Sequence, residues 1–155
     1  CAGAVCCVLF GYAAYFIVIP LRSLSFIIPY SAVPKGRPRA VRTATSVRMF
    51  TPLDTKTFED RAANVAETAM GRQPLFQGPV HLDMQVYVNP VPADPPVGKD
   101  GVAWPARKPD LDNVEKSVCD ALNGIVWVDD CQVCSVTKSK HYATEAYVVV
   151  TVTEL

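Results

Sequence analysis

The chain has 155 residues, 50% of them hydrophobic, and its fifteen basic and fifteen acidic side chains give a formal net charge of zero. This length suits one domain around a single core and leaves too little room for a multidomain enzyme. The charges are unevenly placed, because residues 1–53 contain six basic side chains and no acidic one. A basic first third predicts a polyanionic partner and an acidic remainder predicts a cation site, unless the two sets of charges mix in the folded protein.

Six cysteines occur, and two of them, Cys131 and Cys134, form a single C-x-x-C pair. A structural zinc site takes four ligands, and neither His81 nor His141 stands at ligand spacing from this pair. On a strand the two thiols would point to opposite faces of the sheet. We therefore predict free thiols in a reducing, cytoplasmic compartment, without a zinc site or a disulfide.

The first 21 residues carry no charge and are long enough, at about 1.5 Å per residue, to cross a bilayer as a helix. Two glycines and a proline interrupt this apolar run, and the first methionine of the chain is Met49. We therefore expect residues 1–22 to be an extraneous segment or one upstream of the true start, followed by a domain over residues 23–155. A membrane anchor is the alternative, and the positive-inside rule keeps the domain cytoplasmic in both cases.

The first half of the domain reads as a strand, a loop and a helix. Leu24–Pro29 is a short apolar strand, and residues 31–49 form a polar, basic loop with prolines and a glycine. A helix follows Pro52, with Asp54 or Thr55 as its cap. The apolar residues at helical spacing are Phe58, Ala62, Val65 and Ala69.

The second half adds three strands and a helix. Val80–Val88 alternates apolar and polar residues and predicts a half-buried strand. A proline-rich connection over residues 89–109 precedes a helix over Leu111–Leu122, and long connections of this kind are usually functional or disordered. Cys131–Tyr142 and Glu145–Glu154 predict a final antiparallel pair. The fold class is therefore α+β, with a small mixed or antiparallel sheet and two main helices on one side.

Two carboxylates precede the second helix, in the stretch KPDLDNVEKSVCDAL. Asp112 stands at the expected N-cap, with Glu115 three residues later as in a capping box. This capping box does not explain why a second aspartate, Asp110, stands two residues before Asp112. In an extended chain Asp110 and Asp112 point to the same side, where two carboxylates repel each other unless a cation lies between them. Mg²⁺ is the usual hard cation for oxygen ligands.

A lysine and a second acidic pair complete the pattern. Lys116 lies one helical turn after Asp112, where it could neutralise a phosphoryl group or hold the attacking water, although an ordinary surface ion pair would also explain it. Asp129 and Asp130 begin a later strand, and one of them would join the first two carboxylates if the chain returns to them. D-x-D alone is a weak signal, whereas D-x-D-N-x₂-K followed by D-A-L and W-V-D-D is specific.

These motifs resemble the RusA-type Holliday junction resolvases, which are usually found in phages and prophages. The resemblance covers about residues 24–155. The stretches that carry it are VPKGRPR (33–39), FTPLDTKTFE (50–59), KPDLDNVEKSVCDALNG (108–124) and WVDDCQV (127–133).

The resemblance implies a small α+β homodimer that uses Mg²⁺, and no small-molecule cofactor, to nick opposite strands of a four-way DNA junction in recombination and repair. By matched position Asp110, Asp112 and Asp130 would be metal ligands and Lys116 the catalytic lysine, while the role of Asp129 stays open. A two-fold dimer suits two symmetric nicks. Hydrolysis of a phosphodiester by clustered carboxylates and Mg²⁺ agrees with this chemistry.

Four cations in the basic loop predict the DNA contacts: Lys35, Arg37, Arg39 and Arg42. A loop of this kind can lay several charges along a phosphate backbone without reading the sequence, which suits a junction recognised by its shape. A solvated loop is the simpler explanation. Two other functions stay open, a catalytically inactive junction-binding protein and a D-x-D nucleotide-sugar transferase, although the latter requires a larger domain.

Overall fold

The computed structural model describes residues 4–10, 13–19, 21–37, 39–42, 47–91 and 104–155. In chain order its strands and α-helices are β1 (Ala4–Phe10), β2 (Ala13–Ile19), β3 (Ser23–Ile28), β4 (Arg39–Arg42), β5 (Val47–Phe50), α1 (Leu53–Met70), β6 (Val80–Val88), α2 (Leu111–Leu122), β7 (Val133–Tyr142) and β8 (Tyr147–Glu154). A short 3₁₀ helix, Asp130–Gln132, precedes β7. Two helices and a four-stranded mixed sheet confirm the predicted α+β class.

Two hairpins lie in sequence before α1. Strands β1 and β2 pair antiparallel, so the described residues of the apolar first segment form a hairpin. Strands β4 and β5 pair antiparallel within residues 31–49, so the prediction of a loop throughout that range was wrong. None of the helices in the described ranges is long and apolar enough to cross a membrane.

The four-stranded sheet has the order β3-β8-β6-β7. Strand β8 is antiparallel to both neighbours, whereas β6 and β7 are parallel because α2 forms the crossover between them. The predicted antiparallel pair of β7 and β8 was therefore wrong. The sequence of β8 suits an inner position, since Val148, Val150 and Val152 are fully buried, while the exposed, lysine-bearing β7 forms an edge.

The core lies between the sheet and the two helices. Helix α1 packs against α2 and β3, and α2 packs against β7. On β6 the apolar residues are buried and the polar ones half-buried, as the alternation predicted. The largest fully buried side chains are Trp127, Phe76, Ile28, Leu82 and Met84. The opposite face of the sheet carries no helix among the described residues.

Both helices begin without the side-chain caps that the sequence predicted. Pro52 is the N-cap of α1, and Thr55 is buried in the first turn. The Thr55 hydroxyl instead accepts the Gly36 N–H at 3.3 Å and donates to the Pro34 carbonyl at 3.4 Å. The N-cap of α2 is Asp110 rather than Asp112, and it makes no side-chain cap hydrogen bond. Thr55 therefore fastens the basic loop to α1 rather than capping the helix.

The three cysteines whose side chains the structure describes are free thiols. Cys119 is buried on α2, and Cys131 and Cys134 are exposed. The prediction of unpaired thiols in the C-x-x-C pair is confirmed.

Candidate functional site

Asp110 and Asp112 lie at the entrance of α2 with both side chains exposed. Asp110 has an extended backbone, with φ −77° and ψ 127°, and Asp112 lies in the first turn. The predicted capping box between Asp112 and Glu115 does not form, because the N-cap of α2 is Asp110. Glu115 is instead ion-paired with Lys138 Nζ at 2.5 Å. A structural cap therefore does not account for either aspartate.

The two aspartates line one open groove of about 690 Å³. The groove lies between the start of α2, the segment before it and the edge strand β7. Its lining residues are Trp104, Pro105, Asp110, Leu111, Asp112, Lys138, Ser139 and Lys140. Two carboxylates thus share a solvent-filled space with two lysines, as the side-by-side placement in the sequence predicted for the carboxylates.

Lys140 is a site residue that the sequence reasoning missed. Its Nζ donates to the carbonyl oxygens of Arg107 and Pro109, the latter at 3.1 Å, so it holds the segment that leads into Asp110. Burial lowers the pKa of Lys140, the nearby Asp110 carboxylate opposes this shift, and Arg107 adds to it. The available signal was the spacing of Lys138 and Lys140, because residues two apart on a strand share a face.

The acidic pair before β7 divides into a structural and an exposed residue. Asp129 is the N-cap of the 3₁₀ helix and accepts the Cys131 N–H at 2.9 Å. Hydrogen bonds from Cys131, first from its backbone and then from its side chain, lower the pKa of Asp129. Asp130 is exposed beside the middle of α2, where its charge contributes, after burial and Glu115, to the raised pKa of Cys119. Because the Asp129 side chain caps the 3₁₀ helix, Asp130 is the better candidate of the two for a metal ligand.

Gln132 fixes the turn that carries Asp129 and Asp130. Its side-chain oxygen accepts the N–H groups of Val128 and Asp129, at 2.8 and 3.1 Å. Its amide nitrogen donates to the carbonyls of Phe76 and Gly78, at 3.0 and 2.9 Å. The side-chain amide of Gln132 therefore links the turn that carries Asp129 and Asp130 to the segment before β6.

The described residues contain no group of three or more carboxylate, histidine or cysteine side chains that could hold a metal ion. Asp110 and Asp112 share the groove, whereas Asp130 and the exposed Lys116 are not among its lining residues. Two carboxylates with water as the remaining ligands fit the donor chemistry of Mg²⁺. The predicted set of three ligands stays a prediction.

The basic loop lies against the entrance of α2. The Lys35 N–H donates to the Asn113 carbonyl at 2.8 Å, next to Asp112. The Lys35 ammonium pairs with Glu59 of α1 at 2.6 Å and with Asp120 of α2 at 2.5 Å. Arg37 is exposed.

Of the four cations proposed to contact DNA, Lys35 thus has its charge balanced within the protein, while Arg37 does not share that network. Arg39 and Arg42 lie at the two ends of β4, and their side chains fall outside the described part of the chain.

Comparisons with known proteins give two matches. A family model described as "Endodeoxyribonuclease RusA" matches residues 29–153. A protein of Bacillus subtilis (strain 168) with the description "Uncharacterized protein YqaN" is 34% identical over 139 residues, which cover 85% of this chain and 96% of that protein.

Proposed function

Because the chain belongs to the RusA endodeoxyribonuclease family, we propose that it is a Mg²⁺-dependent endonuclease that resolves four-way DNA junctions by symmetric nicks. The observation that carries the proposal is that Asp110 and Asp112 line one open groove. No side chain caps the start of α2, so neither carboxylate is needed as a helix cap. Loss of either carboxylate would remove a cation ligand without removing a helix cap.

The groove residues have separable tasks in this reaction. Mg²⁺, when bound by Asp110 and Asp112, supplies an activated water and neutralises charge on the phosphate. Lys140 holds the backbone from Arg107 to Pro109, which sets the direction in which Asp110 leaves the chain. Lys116 is exposed one turn into α2, outside the lining of the groove, and would approach a phosphate lying across the helix entrance.

The DNA backbone would follow the basic loop into this groove. The bond from Lys35 N–H to Asn113 keeps the loop next to Asp112, so that Arg37 and the β4 arginines would carry the phosphate contacts. A homodimer would present two such grooves, and a two-fold axis matches two symmetric nicks. Asp130 would complete the ligand set if the bound metal draws it toward α2.

The test uses the full chain with a labelled synthetic four-way junction, with and without Mg²⁺. We expect paired nicks on opposite strands with Mg²⁺ only. Asp110→Asn and Asp112→Asn should each lower the cleavage rate by more than the roughly 10–100-fold that loss of an outer-shell partner costs. Junction binding and the free energy of unfolding should stay near the wild-type values. Glu67→Gln, which removes an exposed carboxylate of α1, is the matched control.

The second candidate is a junction-binding protein without catalysis. It is favoured by one observation, that no group of three potential metal ligands is assembled among the described residues. Binding of the junction without cleavage, under Mg²⁺ and Mn²⁺ alike, would establish this alternative. Wild-type cleavage by Asp110→Asn would refute the assignment of Asp110 as a metal ligand.

A further inference from the structure

Trp104 is a large aromatic residue exposed at the edge of the groove. Its side chain is 51% exposed, although it lines the same groove as Asp110 and Asp112. Pro105, the next residue, is buried and anchors the chain at this point. An indole that is fixed at one end and open to solvent on a face has the form of a binding surface rather than of a core residue.

A row of three further rings supports Trp104 from behind. Its indole lies 5.2 Å from the His141 ring at 44°, and the His141 ring lies 5.3 Å from Tyr87 at 32°. Tyr87 stacks on Tyr147 with ring centroids 4.3 Å apart and an angle of 16°. The two tilted pairs lie within the 4.5–7 Å centroid distances of attractive aromatic pairs, and the Tyr87–Tyr147 pair is a slightly closer stack. The four rings therefore form one continuous row, which we call the aromatic row.

The register of the sheet explains why the row is continuous. Tyr87 of β6 stands opposite His141 of β7 and also opposite Tyr147 of β8. The His141 ring is further held by a 2.8 Å hydrogen bond between its Nε2 and Ser139 Oγ, and Tyr87 donates to Gln85 Oε1 at 3.1 Å. Strand pairing thus fixes the three inner rings, and the Trp104 indole lies against the outermost of them, the His141 ring.

Trp104 lies where the aromatic row meets the charged groove. Successive side chains of a strand alternate between faces, so His141 and Lys140 leave β7 on opposite sides. Trp104 contacts the His141 ring and also lines the groove with Lys140 and Lys138, which places it across the free edge of β7. A ligand here would find an open π face next to Lys140, whose ammonium has no carboxylate partner in an ion pair among the described residues, and next to Lys138, which is paired with Glu115.

A nucleotide matches both features, because its base offers a flat ring and its backbone offers a phosphate. An apolar peptide segment would match the indole but not the lysines and carboxylates beside it. We propose that Trp104 is a base-stacking site, on which a base released from pairing near the crossover stacks while the adjacent phosphate enters the groove. This inference rests on the proposed function, since it assumes that junction DNA occupies the groove.

The test is a double-mutant cycle between protein and DNA, measured as junction binding by the full chain in EDTA so that no cleavage occurs. One partner is Trp104→Ala, and the other is an abasic nucleotide moved singly through the positions that flank the crossover. Stacking of about 1–3 kcal/mol per base corresponds to a loss of affinity of roughly 5- to 150-fold. We expect Trp104→Ala to lose this factor on the intact junction. At one abasic position the wild-type protein should lose affinity by this same factor. Trp104→Ala should bind that abasic junction as tightly as it binds the intact junction.

Tryptophan fluorescence gives an independent readout with an internal control. Trp127 is fully buried and its Nε1 donates to Asn123 Oδ1 at 2.9 Å, so a DNA base cannot reach it. Junction DNA should quench the wild-type emission and leave the emission of Trp104→Phe unchanged. Trp104→Phe should also restore most of the affinity that Trp104→Ala loses, which separates stacking from a loss of fold.

The outcomes distinguish this inference from the proposed function. Wild-type affinity of Trp104→Ala, or equal losses at every abasic position, would overturn the stacking site and leave the nuclease proposal intact. Quenching by a fully paired linear duplex to the same extent as by the junction would also overturn it. Failure of the wild-type protein to bind the junction at all would instead refute the proposed function.

Discussion

Replacement of Lys35 by methionine separates a structural role of the basic loop from a role in DNA binding. Lys35 connects the loop to both helices, through Glu59 of α1 and Asp120 of α2. Its side chain is 26% exposed, against 18% for Glu59 and 40% for Asp120. Methionine keeps much of the aliphatic stem and removes the ammonium, which leaves two carboxylates facing each other without a cation.

The expected loss of stability follows from the exposure of the two bonds. Hydrogen bonds to charged groups contribute about 1.5–3 kcal/mol, whereas exposed ion pairs contribute about 0.2–1 kcal/mol. The bond from Lys35 to the less exposed Glu59 should contribute an energy nearer the first range. The ion pair with the more exposed Asp120 should contribute an energy nearer the second. We therefore expect Lys35→Met to lower the free energy of unfolding by about 2–3 kcal/mol, measured by urea denaturation at pH 7.

The pH dependence gives a second measurement of the same network. Burial alone would lower the pKa of Lys35, but the hydrogen bonds that its ammonium donates to Asp120 and Glu59, together with the charges of these carboxylates, outweigh it and raise the pKa above 10.5. A lysine whose folded pKa is raised contributes its full stability below the unfolded pKa and loses it as the pH rises through the folded pKa. The difference between wild type and Lys35→Met should be constant from pH 7 to 9 and shrink above 10.5. A difference that persists undiminished in strong alkali would refute the ion-pair account.

Arg37→Ala is the matched control for DNA binding. Removal of one phosphate contact should reduce the slope of log Kd against log salt concentration by about 1. We expect this change in Arg37→Ala, with little change in stability, and an unchanged slope in Lys35→Met. The reverse pattern would mean that Lys35 leaves its carboxylates to contact DNA.

Three further predictions test the scaffold of the site. Gly36→Ala should destabilise the protein by about 1–3 kcal/mol in urea, because its Cβ would lie 2.6 Å from Pro52 Cγ; wild-type stability would contradict this close contact. Burial, with the charges of nearby carboxylates, raises the pKa of Cys119 to about 12, so alkylation at pH 8 followed by mass spectrometry should modify the exposed Cys134 and leave Cys119 intact. Gln132→Ala leaves four backbone groups without their partner and should cost roughly 1–3 kcal/mol; it should also slow DNA cleavage, and a variant as stable and active as wild type would show that this turn needs no such support.

The sequence predicted the elements of the fold better than their arrangement. The alternation of residues 80–88 and the helical spacing of residues 111–122 are local patterns, and both elements form with nearly those bounds. The position of β8 between β3 and β6 is not local, because it depends on which partner buries Val148, Val150 and Val152 best. An antiparallel pair of neighbours in sequence is the commoner arrangement, but here β8 lies between β3 and β6 and is antiparallel to both.

The same distinction applies to the site. The pair Asp110 and Asp112 could be found from their spacing, and both line one groove, although the extended backbone expected for them ends at Asp110 because α2 begins at Leu111. The spacing of Lys138 and Lys140 on β7 could indicate a shared face. It could not reveal the role of Lys140, which depends on carbonyl groups more than thirty residues earlier in the chain. The capping function assigned to Asp112 was wrong because the N-cap of α2 is Asp110, two residues earlier.

The motif residues that define the family divide according to what their side chains contact. Lys35, Glu59 and Asp120 come from three separate motifs and form one ion-pair network, so their side chains connect the loop to the two helices. Asp110 and Asp112 are exposed, and their side chains line a groove without making a hydrogen bond that caps α2. Substitutions in the first group should therefore lower stability and cleavage together. Substitutions in the second group should lower cleavage alone, which makes the ratio of the two effects the measure of a residue's part in the chemistry.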